Sequence, residues 1–214
     1  VQEALPTATA LELYHNAFLI HDDIEDGSLL RRGGSTLHTE HGIPIALNVG
    51  DSLLALALQP LLENTAALDL GRALRILQLI ADMARQTAEG QAIELGWIQG
   101  DTYAISDAAY VDMVTRKTAL YTFVTPVHAG ALIGTLTASH RERLLSFAHA
   151  LGVGFQIRDD VLNLIQSAAQ TGKEQWGDLR EGKRTLILGH FFRTASPAAL
   201  QRGRALLSQL QQPA

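Results

Sequence analysis

Apolar residues recur at three- and four-residue spacing along almost the whole chain, which is the spacing that puts side chains on one face of an α-helix. No alternation of apolar and polar residues of comparable length predicts a strand. The breaks fall at Gly33-Gly34, at Gly42-Ile43-Pro44 and in the polar stretches 101–107 and 167–182. We expect an all-α fold, a large antiparallel helical bundle in a single domain spanning residues 1–214. The predicted helices cover residues 8–21, 43–62, 70–99, 108–134, 140–165, 186–193 and 198–210.

Pro126 lies inside the predicted helix 108–134. Proline has no backbone N–H and its ring crowds the preceding turn, so we expect the helix to kink about one turn upstream, near residues 117–122. A helix that ends and restarts there explains the same residues equally well.

Two of the predicted helices end in acidic clusters, Asp22-Asp23-Ile24-Glu25-Asp26 and Asp159-Asp160-Val161-Leu162-Asn163. Residues four apart return to the same face of a helix, so Asp22 and Asp26 are placed to share a divalent cation. Asp159 and Asn163 repeat that spacing. A single acidic pair is commonly a solvated helix face, whereas two pairs on separate helices are suited to enclosing several Mg²⁺ ions.

Cationic residues follow the first cluster closely, because Arg31 and Arg32 come just before Gly33-Gly34. Carboxylates bind Mg²⁺, Mg²⁺ binds phosphate oxygens, and guanidinium groups bind further phosphate oxygens in a bidentate manner. The combination points to a diphosphate ligand, although an Arg-Arg pair taken alone is usually surface charge. The second cluster also has polar neighbours, namely Gln156, Arg158, Lys173, Asp178, Glu181 and Lys183.

A series of short motifs thus runs in one order along nearly the whole chain: His15, His21-Asp22-Asp23-Ile24-Glu25-Asp26, Leu30-Arg31-Arg32-Gly33, Gly50-Asp51, Gly90-Gln91, Lys117-Thr118, Phe155-Gln156-Ile157-Arg158-Asp159-Asp160 and Gly172-Lys173. This series resembles that of the trans-isoprenyl diphosphate synthases of the polyprenyl synthetase family. The resemblance implies an isoprenoid synthase bundle with a central active-site cavity. It also implies Mg²⁺ as the cofactor, with three ions expected once a diphosphate is bound.

The resemblance further implies roles for single residues. Arg31 corresponds to the arginine that binds the allylic diphosphate, while His15 and Arg32 correspond to residues that contact isopentenyl diphosphate. Thr118 lies where the family's kinked helix approaches the allylic cation. The implied metal-binding residues are Asp22, Asp23, Asp26, Asp159 and Asp160. The implied residues for the departing pyrophosphate are Lys117, Gln156 and Lys183, with Lys173 as a further lysine on the phosphate side and Gln91 and Glu94 as cavity-lining residues.

Two departures from the family pattern stand out. Asn163 replaces the last aspartate of the second cluster, yet its neutral carbonyl oxygen can still bind a metal-bound water. The upstream Gly-Gly-Lys-x-x-Arg segment, which in the family supplies a lysine and an arginine to isopentenyl diphosphate, has no counterpart here. We expect the sequence to lack the N-terminal helices of the domain and therefore part of that half-site.

The reaction implied by the resemblance joins isopentenyl diphosphate to an allylic diphosphate and gives an all-trans prenyl diphosphate five carbons longer. Phe18 lies one helical turn before Asp22, where a growing isoprenoid tail would descend, and Ala17 beside it is too small to close a tunnel. This favours geranylgeranyl diphosphate as the product, with farnesyl diphosphate next, unless Phe18 is a core residue. Two alternatives remain, a class I terpene cyclase and a non-catalytic subunit of a heteromeric prenyl synthase.

Composition adds limits of a broader kind. A formal net charge of -5 argues against general nucleic-acid binding, and the absence of cysteine excludes thiolate metal sites and disulfides. No uninterrupted apolar run reaches about 18 residues, so we expect no membrane span and a soluble, cytoplasmic protein. The family resemblance implies a homodimer. We expect Trp97, Tyr103, Tyr110 and Tyr121 to be core or interface residues.

Overall fold

The computed structural model describes residues 1–166 and 176–210, and within these residues the fold is all-α, as predicted. A 3₁₀ turn, Gln2–Ala4, precedes the first helix, and one two-stranded hairpin is formed by β1 (Leu30–Arg31) and β2 (Gly34–Ser35). The helices are α1 (Leu5–Asp26), α2 (Leu37–His41), α3 (Ile43–Leu56), α4 (Leu58–Ala67), α5 (Leu70–Gln99), α6 (Asp107–Val114), a π-helix (Thr115–Val124), α7 (Thr125–Ile133), α8 (Ala138–Ile165), α9 (Gly177–Arg180), α10 (Leu186–Thr194) and α11 (Pro197–Leu210).

Four helices begin at residues whose side-chain oxygen accepts a hydrogen bond from a backbone N–H of the first turn. These capping residues satisfy a donor that has no partner inside the helix, which fixes where each helix begins. They are Asp69 for α5, Ser106 for α6, Thr137 for α8 and Thr185 for α10.

The predicted single helix 43–62 is wrong in one respect, because the structure divides it at Ala57 into α3 and α4. Pro60 explains the division. It has no N–H to donate to the carbonyl of Leu56, so the helical hydrogen-bond ladder is interrupted one turn before the proline.

The irregularity predicted upstream of Pro126 is present as a ten-residue π-helix, Thr115–Val124, between α6 and α7. This segment packs between α5 and α8. A Cβ at Gly90 would lie 2.8 Å from Cα of Lys117, and a Cβ at Gly152 would lie 2.8 Å from Cα of Ala119. Glycine is therefore required on both sides of the π-helix to let the three backbones approach so closely.

The core consists of three clusters of buried side chains. The largest joins α1, α4 and α5 through residues that include Tyr14, Leu61, Ile76, Ile80 and Met83. A second lies at the start of the kinked helix and includes Tyr110, Met113 and Val114, and a third joins Tyr103, Phe192 and Leu207. Residues of the first two clusters, Tyr14 from one and Tyr110, Met113 and Val114 from the other, also line a cavity, so packing in the bundle determines the position of its walls.

The hairpin that follows α1 turns at Arg32-Gly33, with Arg31 paired to Gly34. Both turn residues have positive φ, 53° for Arg32 and 80° for Gly33. Two consecutive positive φ angles define the type I′ turn that suits a two-residue hairpin. Arg32 therefore adopts a left-handed conformation that is uncommon outside glycine.

One stretch of the described chain, Ile43–Ala67, has the length and composition of a membrane-spanning helix and is mostly exposed. The stretch comprises α3 and α4, which both pack against α1. Its outer face exposes several large apolar side chains: Ile43, Ile45, Leu47, Leu56, Leu58 and Leu62. The prediction that the chain has no membrane span therefore stays a prediction.

Candidate functional site

A cavity of about 800 Å³ lies between α1, α5, the π-helix and α8. Its wall includes Asp22 from the first acidic cluster and Asp159 and Asp160 from the second. Two segments more than a hundred residues apart in sequence thus face the same space, as the sequence predicts.

Arg31 is held against the first acidic cluster. Its Nε donates to Oδ1 of Asp23 at 2.7 Å, and its Nη2 donates to Oδ2 of Asp22 at 3.1 Å. The short hairpin positions this contact because it folds the chain back toward the end of α1 directly after the helix. Asp23 is 5% exposed and makes its contacts with Arg31, whereas Asp22 lies on the cavity wall.

Lys117 reaches across the cavity from the π-helix. Its Nζ lies 3.1 Å from Oδ1 of Asp22 and 2.5 Å from Oε2 of Glu94 on α5. These two carboxylates raise the pKa of Lys117 above its ordinary value even though burial alone would lower it. The ammonium group therefore stays charged inside the cavity.

Lys183 occupies the other side of the first cluster. Its Nζ lies 2.9 Å from Oδ2 of Asp26 and 2.9 Å from Oε2 of Glu181. Glu181 also accepts a hydrogen bond from Oγ of Ser28 at 2.7 Å, which ties the segment after α9 to the end of α1. Burial disfavours the charged form of Lys183, but the surrounding carboxylates raise its pKa well above the ordinary value.

The two aspartates on the shared face of α1 titrate differently. Burial by itself would raise the pKa of Asp22, but Lys117, Lys183 and Arg31 together hold that pKa well below its usual range. For Asp26, burial and the neighbouring carboxylate of Asp22 raise the pKa to about 6 despite the opposing charge of Lys183. Asp22 is thus held ionised by the surrounding cations, whereas Asp26 takes up a proton more readily.

The polar residues of the second cluster have different surroundings. Asp159 lies on the cavity wall, whereas Asp160 is 6% exposed and accepts from Tyr110 and from Gln156. Burial raises the pKa of Asp160, and these two hydrogen bonds oppose the rise. The side-chain oxygen of Asn163 accepts from the backbone N–H of Asp178 at 3.2 Å, so it anchors α9 to α8.

Aromatic rings form the wall below the first cluster. The ring of Tyr121 lies 5.6 Å from the rings of both His15 and Phe18, and Phe18 also contacts Tyr14. All four side chains line the cavity. Burial lowers the pKa of His15, and the charges of Arg32 and Arg31 also lower it, against the opposing effect of Glu12, so neutral imidazole is favoured there.

The structure therefore gathers nearly every predicted site residue around one cavity. The cavity is also lined by Arg32, Gln91, Thr118 and Gln156. Asp26 is paired with Lys183, which lines the cavity. Lys173 lies outside the described residues. Within the described residues, neither polar atom of the Gln91 side chain has a hydrogen-bond partner, although both are buried.

Three further residues belong to the site although no motif assigned them a role there. Tyr121 and Tyr110, which we expected to be core or interface residues, line the cavity, and Tyr110 is also a core residue. Glu181 contacts Lys183. One signal in the sequence pointed to Tyr121 as a cavity residue. It lies four residues after Lys117, and in a regular α-helix that spacing puts both side chains on the same face.

The donor set suits a hard divalent cation, since the carboxylate oxygens of Asp22, Asp26 and Asp159 come from the two acidic clusters. Within the described residues, however, no three histidine or acidic side chains are grouped closely enough to hold a metal ion by themselves. Mg²⁺ is commonly held by one or two carboxylates together with the phosphates of a substrate. The site fits that mode of binding better than a cage made of protein alone.

A sequence model described as Polyprenyl synthetase matches residues 1–213. The chain belongs to the polyprenyl synthetase family. It is 36% identical over 194 residues to the short chain isoprenyl diphosphate synthase of Methanocaldococcus jannaschii, covering 91% of this chain and 57% of that protein. The chain thus spans little more than half the length of this curated relative.

Solved structures of the family agree with the fold. The geranylgeranyl pyrophosphate synthetase of Pyrococcus horikoshii is 31% identical with a TM-score of 0.83, covering 98% of this chain and 67% of that one. The geranylgeranyl pyrophosphate synthase of Corynebacterium glutamicum, solved with isoprenyl diphosphate and magnesium, is 28% identical with a TM-score of 0.88, covering 100% of this chain and 63% of that one. The polyprenyl synthetase family match gives no support to the terpene cyclase or the non-catalytic subunit.

Proposed function

We propose that the protein containing this chain is a Mg²⁺-dependent trans-prenyltransferase that condenses isopentenyl diphosphate with an allylic diphosphate. One observation carries the proposal. Two acidic segments, on α1 and α8, face a single cavity in which Arg31, Lys117 and Lys183 supply positive charge, and the cavity continues into an aromatic wall. Charge at one end and apolar rings at the other match a prenyl diphosphate.

Asp22, Asp26 and Asp159 are the residues that would hold Mg²⁺ together with the diphosphate, and we expect three ions in the complete site. When bound, the ions supply positive charge that stabilises a diphosphate leaving group. The metal-bound relative from Corynebacterium glutamicum supports divalent metal use by the family. Asp23 makes its contacts with Arg31, so we expect it to act on the metals through that arginine.

The first chemical step is heterolysis of the allylic C–O bond, with the electron pair leaving on the diphosphate oxygen. Arg31, Lys117 and Lys183 stabilise the developing negative charge from fixed positions in the cavity, which lowers the barrier because little reorganisation is needed. Thr118 lies beside the place where the allylic cation forms.

In the second step the double bond of isopentenyl diphosphate attacks the allylic cation and a carbon–carbon bond forms. The product cation then loses a proton to the departed pyrophosphate, which restores a double bond. The chemistry requires no protein nucleophile. His15 and Arg32, which both line the cavity, are the described residues that would contact isopentenyl diphosphate, and neutral imidazole at His15 can donate a hydrogen bond to it.

We infer that the product is geranylgeranyl diphosphate, with farnesyl diphosphate next. Phe18 and Tyr121 form an edge-to-face pair across the lower cavity, which supports a floor at intermediate depth. The relatives of known structure from Pyrococcus horikoshii and Corynebacterium glutamicum are named for geranylgeranyl pyrophosphate.

We also propose that the outer face of α3 and α4 binds a second copy of the chain. Ile43 and Leu47 are 56% and 47% exposed, and Leu62 is 62% exposed. Residues 43–67 carry two charged side chains, Asp51 and Glu63, so a face this apolar is suited to burial against an identical face. Light scattering should show that the wild type is a dimer and that Leu62→Glu is a monomer. Leu206→Glu, which changes an exposed position on α11, is the control and should remain a dimer. A monomeric wild type would contradict the dimer, and a Leu62→Glu variant that remains dimeric, or a wild type that uses this face to sediment with lipid vesicles, would contradict the proposed interface.

The reaction itself is tested with the full-length protein, Mg²⁺, labelled isopentenyl diphosphate and dimethylallyl, geranyl or farnesyl diphosphate as primer. A synthase incorporates the label into a longer diphosphate. A terpene cyclase would instead release a hydrocarbon or alcohol without consuming the label, and a non-catalytic subunit would do neither. The cytoplasmic location remains a prediction, which fractionation of cells would check.

A further inference from the structure

Four side chains form a continuous hydrogen-bonded path along the cavity wall, from α6 through α8 to the π-helix. The hydroxyl of Tyr110 donates to Oδ2 of Asp160 at 2.5 Å. Nε2 of Gln156 donates to Oδ1 of Asp160 at 2.8 Å, and Oγ1 of Thr118 donates to Oε1 of Gln156 at 3.0 Å. All four residues line the cavity, so the path lies in the wall that faces a substrate.

The carboxylate of Asp160 sets the direction of every bond in the path. An ionised carboxylate only accepts hydrogen bonds, so Gln156 must turn its NH₂ group toward Asp160. The amide oxygen of Gln156 then faces Thr118, which must donate to it. The oxygen lone pairs of Thr118 are thereby left facing away from Gln156.

We propose that Tyr110 is a positioning residue that acts through Asp160 and Gln156 to fix the hydroxyl orientation of Thr118 where the allylic cation forms. Oxygen lone pairs aimed at that point favour the cation, whereas a hydroxyl hydrogen aimed there opposes it. Each oxygen of Asp160 accepts one hydrogen bond of the path, so we assign Asp160 to this orientation and Asp159 to the metals. The inference rests on the proposed prenyltransferase reaction.

Two properties of the path support positioning over simple packing. Tyr110 is 2% exposed and packs in the cluster with Met113 and Val114, so its ring already has a structural role that does not need the hydroxyl. The hydroxyl nevertheless points at a buried carboxylate in the cavity wall. A tyrosine hydroxyl is protonated at neutral pH, so it remains a donor to this carboxylate.

The first test compares Tyr110→Phe with Tyr103→Phe in the full-length protein. Tyr103 is also a buried tyrosine whose hydroxyl interacts with a carboxylate, that of Asp101, but it lies outside the cavity lining. For Tyr110→Phe we expect kcat to fall about 10- to 100-fold, the usual effect of losing a group that orients a site residue. We expect KM for both substrates and the half-saturating Mg²⁺ concentration to change less than about twofold. Tyr103→Phe should retain wild-type kcat.

The second test exchanges donor and acceptor within the path. In Asp160→Asn, the amide oxygen that accepts from Tyr110 leaves the NH₂ group facing the NH₂ of Gln156, so with Tyr110 still donating Gln156 flips and reverses its bond with Thr118. In the double variant Asp160→Asn/Gln156→Glu, the amide at position 160 can accept from Tyr110 and donate to the carboxylate at position 156, whose other oxygen accepts from Thr118. The original orientation of Thr118 is restored, so we expect the double variant to recover at least about tenfold in kcat over Asp160→Asn.

Each outcome decides the inference. A double variant no more active than Asp160→Asn would overturn it, and a raised Mg²⁺ requirement in both variants would show in addition that Asp160 serves the metals directly. Unchanged kcat in Tyr110→Phe would also overturn it. Calorimetric titration with Mg²⁺ and an unreactive allylic diphosphate analogue separates binding from turnover, and Tyr110→Phe should bind the analogue as the wild type does. If the wild type itself forms no product, the proposed function fails, whereas an active wild type with an unaffected Tyr110→Phe variant fails this inference alone.

Discussion

Nζ of Lys117 lies 3.1 Å from Oδ1 of Asp22, so the π-helix and the first acidic cluster meet across the cavity. The contact depends on how closely the π-helix approaches α5, because Lys117 also pairs with Glu94 on that helix. Gly90 controls this approach. The position of a charged site residue is thus set by a glycine on a neighbouring helix.

Gly90→Ala should lower both the stability and the activity of the protein. The added Cβ would lie 2.8 Å from Cα of Lys117, and overpacking of this kind costs about 1–3 kcal/mol. Gly96→Ala is the matched control on the same helix, since no atom lies within 4 Å of its added Cβ. It should stabilise the protein by roughly 0.5–1 kcal/mol. Urea unfolding measures both changes, and equal stabilities for the two variants would contradict the close approach.

Glu181→Gln should reduce stability at neutral pH more than at acid pH. Burial alone would raise the pKa of Glu181, but Lys183 and Ser28 lower it below the ordinary value. The ionised form therefore stabilises the folded state above the unfolded pKa of about 4.3, and this contribution disappears as the pH falls through the lower folded pKa.

Thermal unfolding of wild type and Glu181→Gln between pH 3 and pH 7 checks this prediction. The melting temperatures should differ at pH 7 and converge toward pH 3. A difference that is constant with pH would mean that the ion pair with Lys183 does not stabilise the fold.

Mg²⁺ alone should bind weakly, and Mg²⁺ with inorganic pyrophosphate should bind tightly. The described residues contain no group of three acidic or histidine side chains that could hold a metal by itself, so phosphate oxygens must complete the coordination. Isothermal titration calorimetry with Mg²⁺, with pyrophosphate and with both measures this dependence. Tight binding of Mg²⁺ in the absence of pyrophosphate would be inconsistent with the proposed site.

Phe18→Ala should lengthen the product. Phe18 lines the cavity and packs edge-to-face on Tyr121, so its removal opens space where an isoprenoid tail would lie. The ring also contacts the core, and the loss of a packed phenylalanine costs about 3–5 kcal/mol. Chromatography of the products, together with the melting temperature, separates the two effects. Phe147→Ala, which removes a 65% exposed ring on α8, should change neither. An unchanged product with a lower melting temperature would make Phe18 a core residue only.

Helical periodicity predicted the all-α fold well because amphipathic helices leave a strong three- and four-residue pattern. It missed the division of α3 from α4, since the apolar pattern continues across Ala57 while Pro60 breaks the hydrogen-bond ladder. It located the irregular segment before Pro126 but not its π-helical form. That form depends on packing against Gly90 and Gly152, which are distant in sequence.

The acidic clusters were visible in the sequence because one-turn spacing places carboxylates on a common face. Their partners were harder to predict. The contact of Lys183 with Asp26 and the pairing of Glu181 with Ser28 join segments about 150 residues apart. The engagement of Asp160 by Tyr110 likewise depends on how α6 packs against α8, which no local pattern encodes.

The central claim is that carboxylates from α1 and α8 serve one prenyl-transfer site, and the most direct measurement is turnover by Asp22→Asn and Asp159→Asn in the full-length protein. With saturating Mg²⁺, labelled isopentenyl diphosphate and an allylic primer, each variant should lose about 100- to 1,000-fold in kcat while keeping the wild-type circular dichroism spectrum. Asp82→Asn, at an exposed position of α5 outside the main cavity, should retain wild-type turnover. Near-wild-type turnover by either Asp22→Asn or Asp159→Asn would contradict the account.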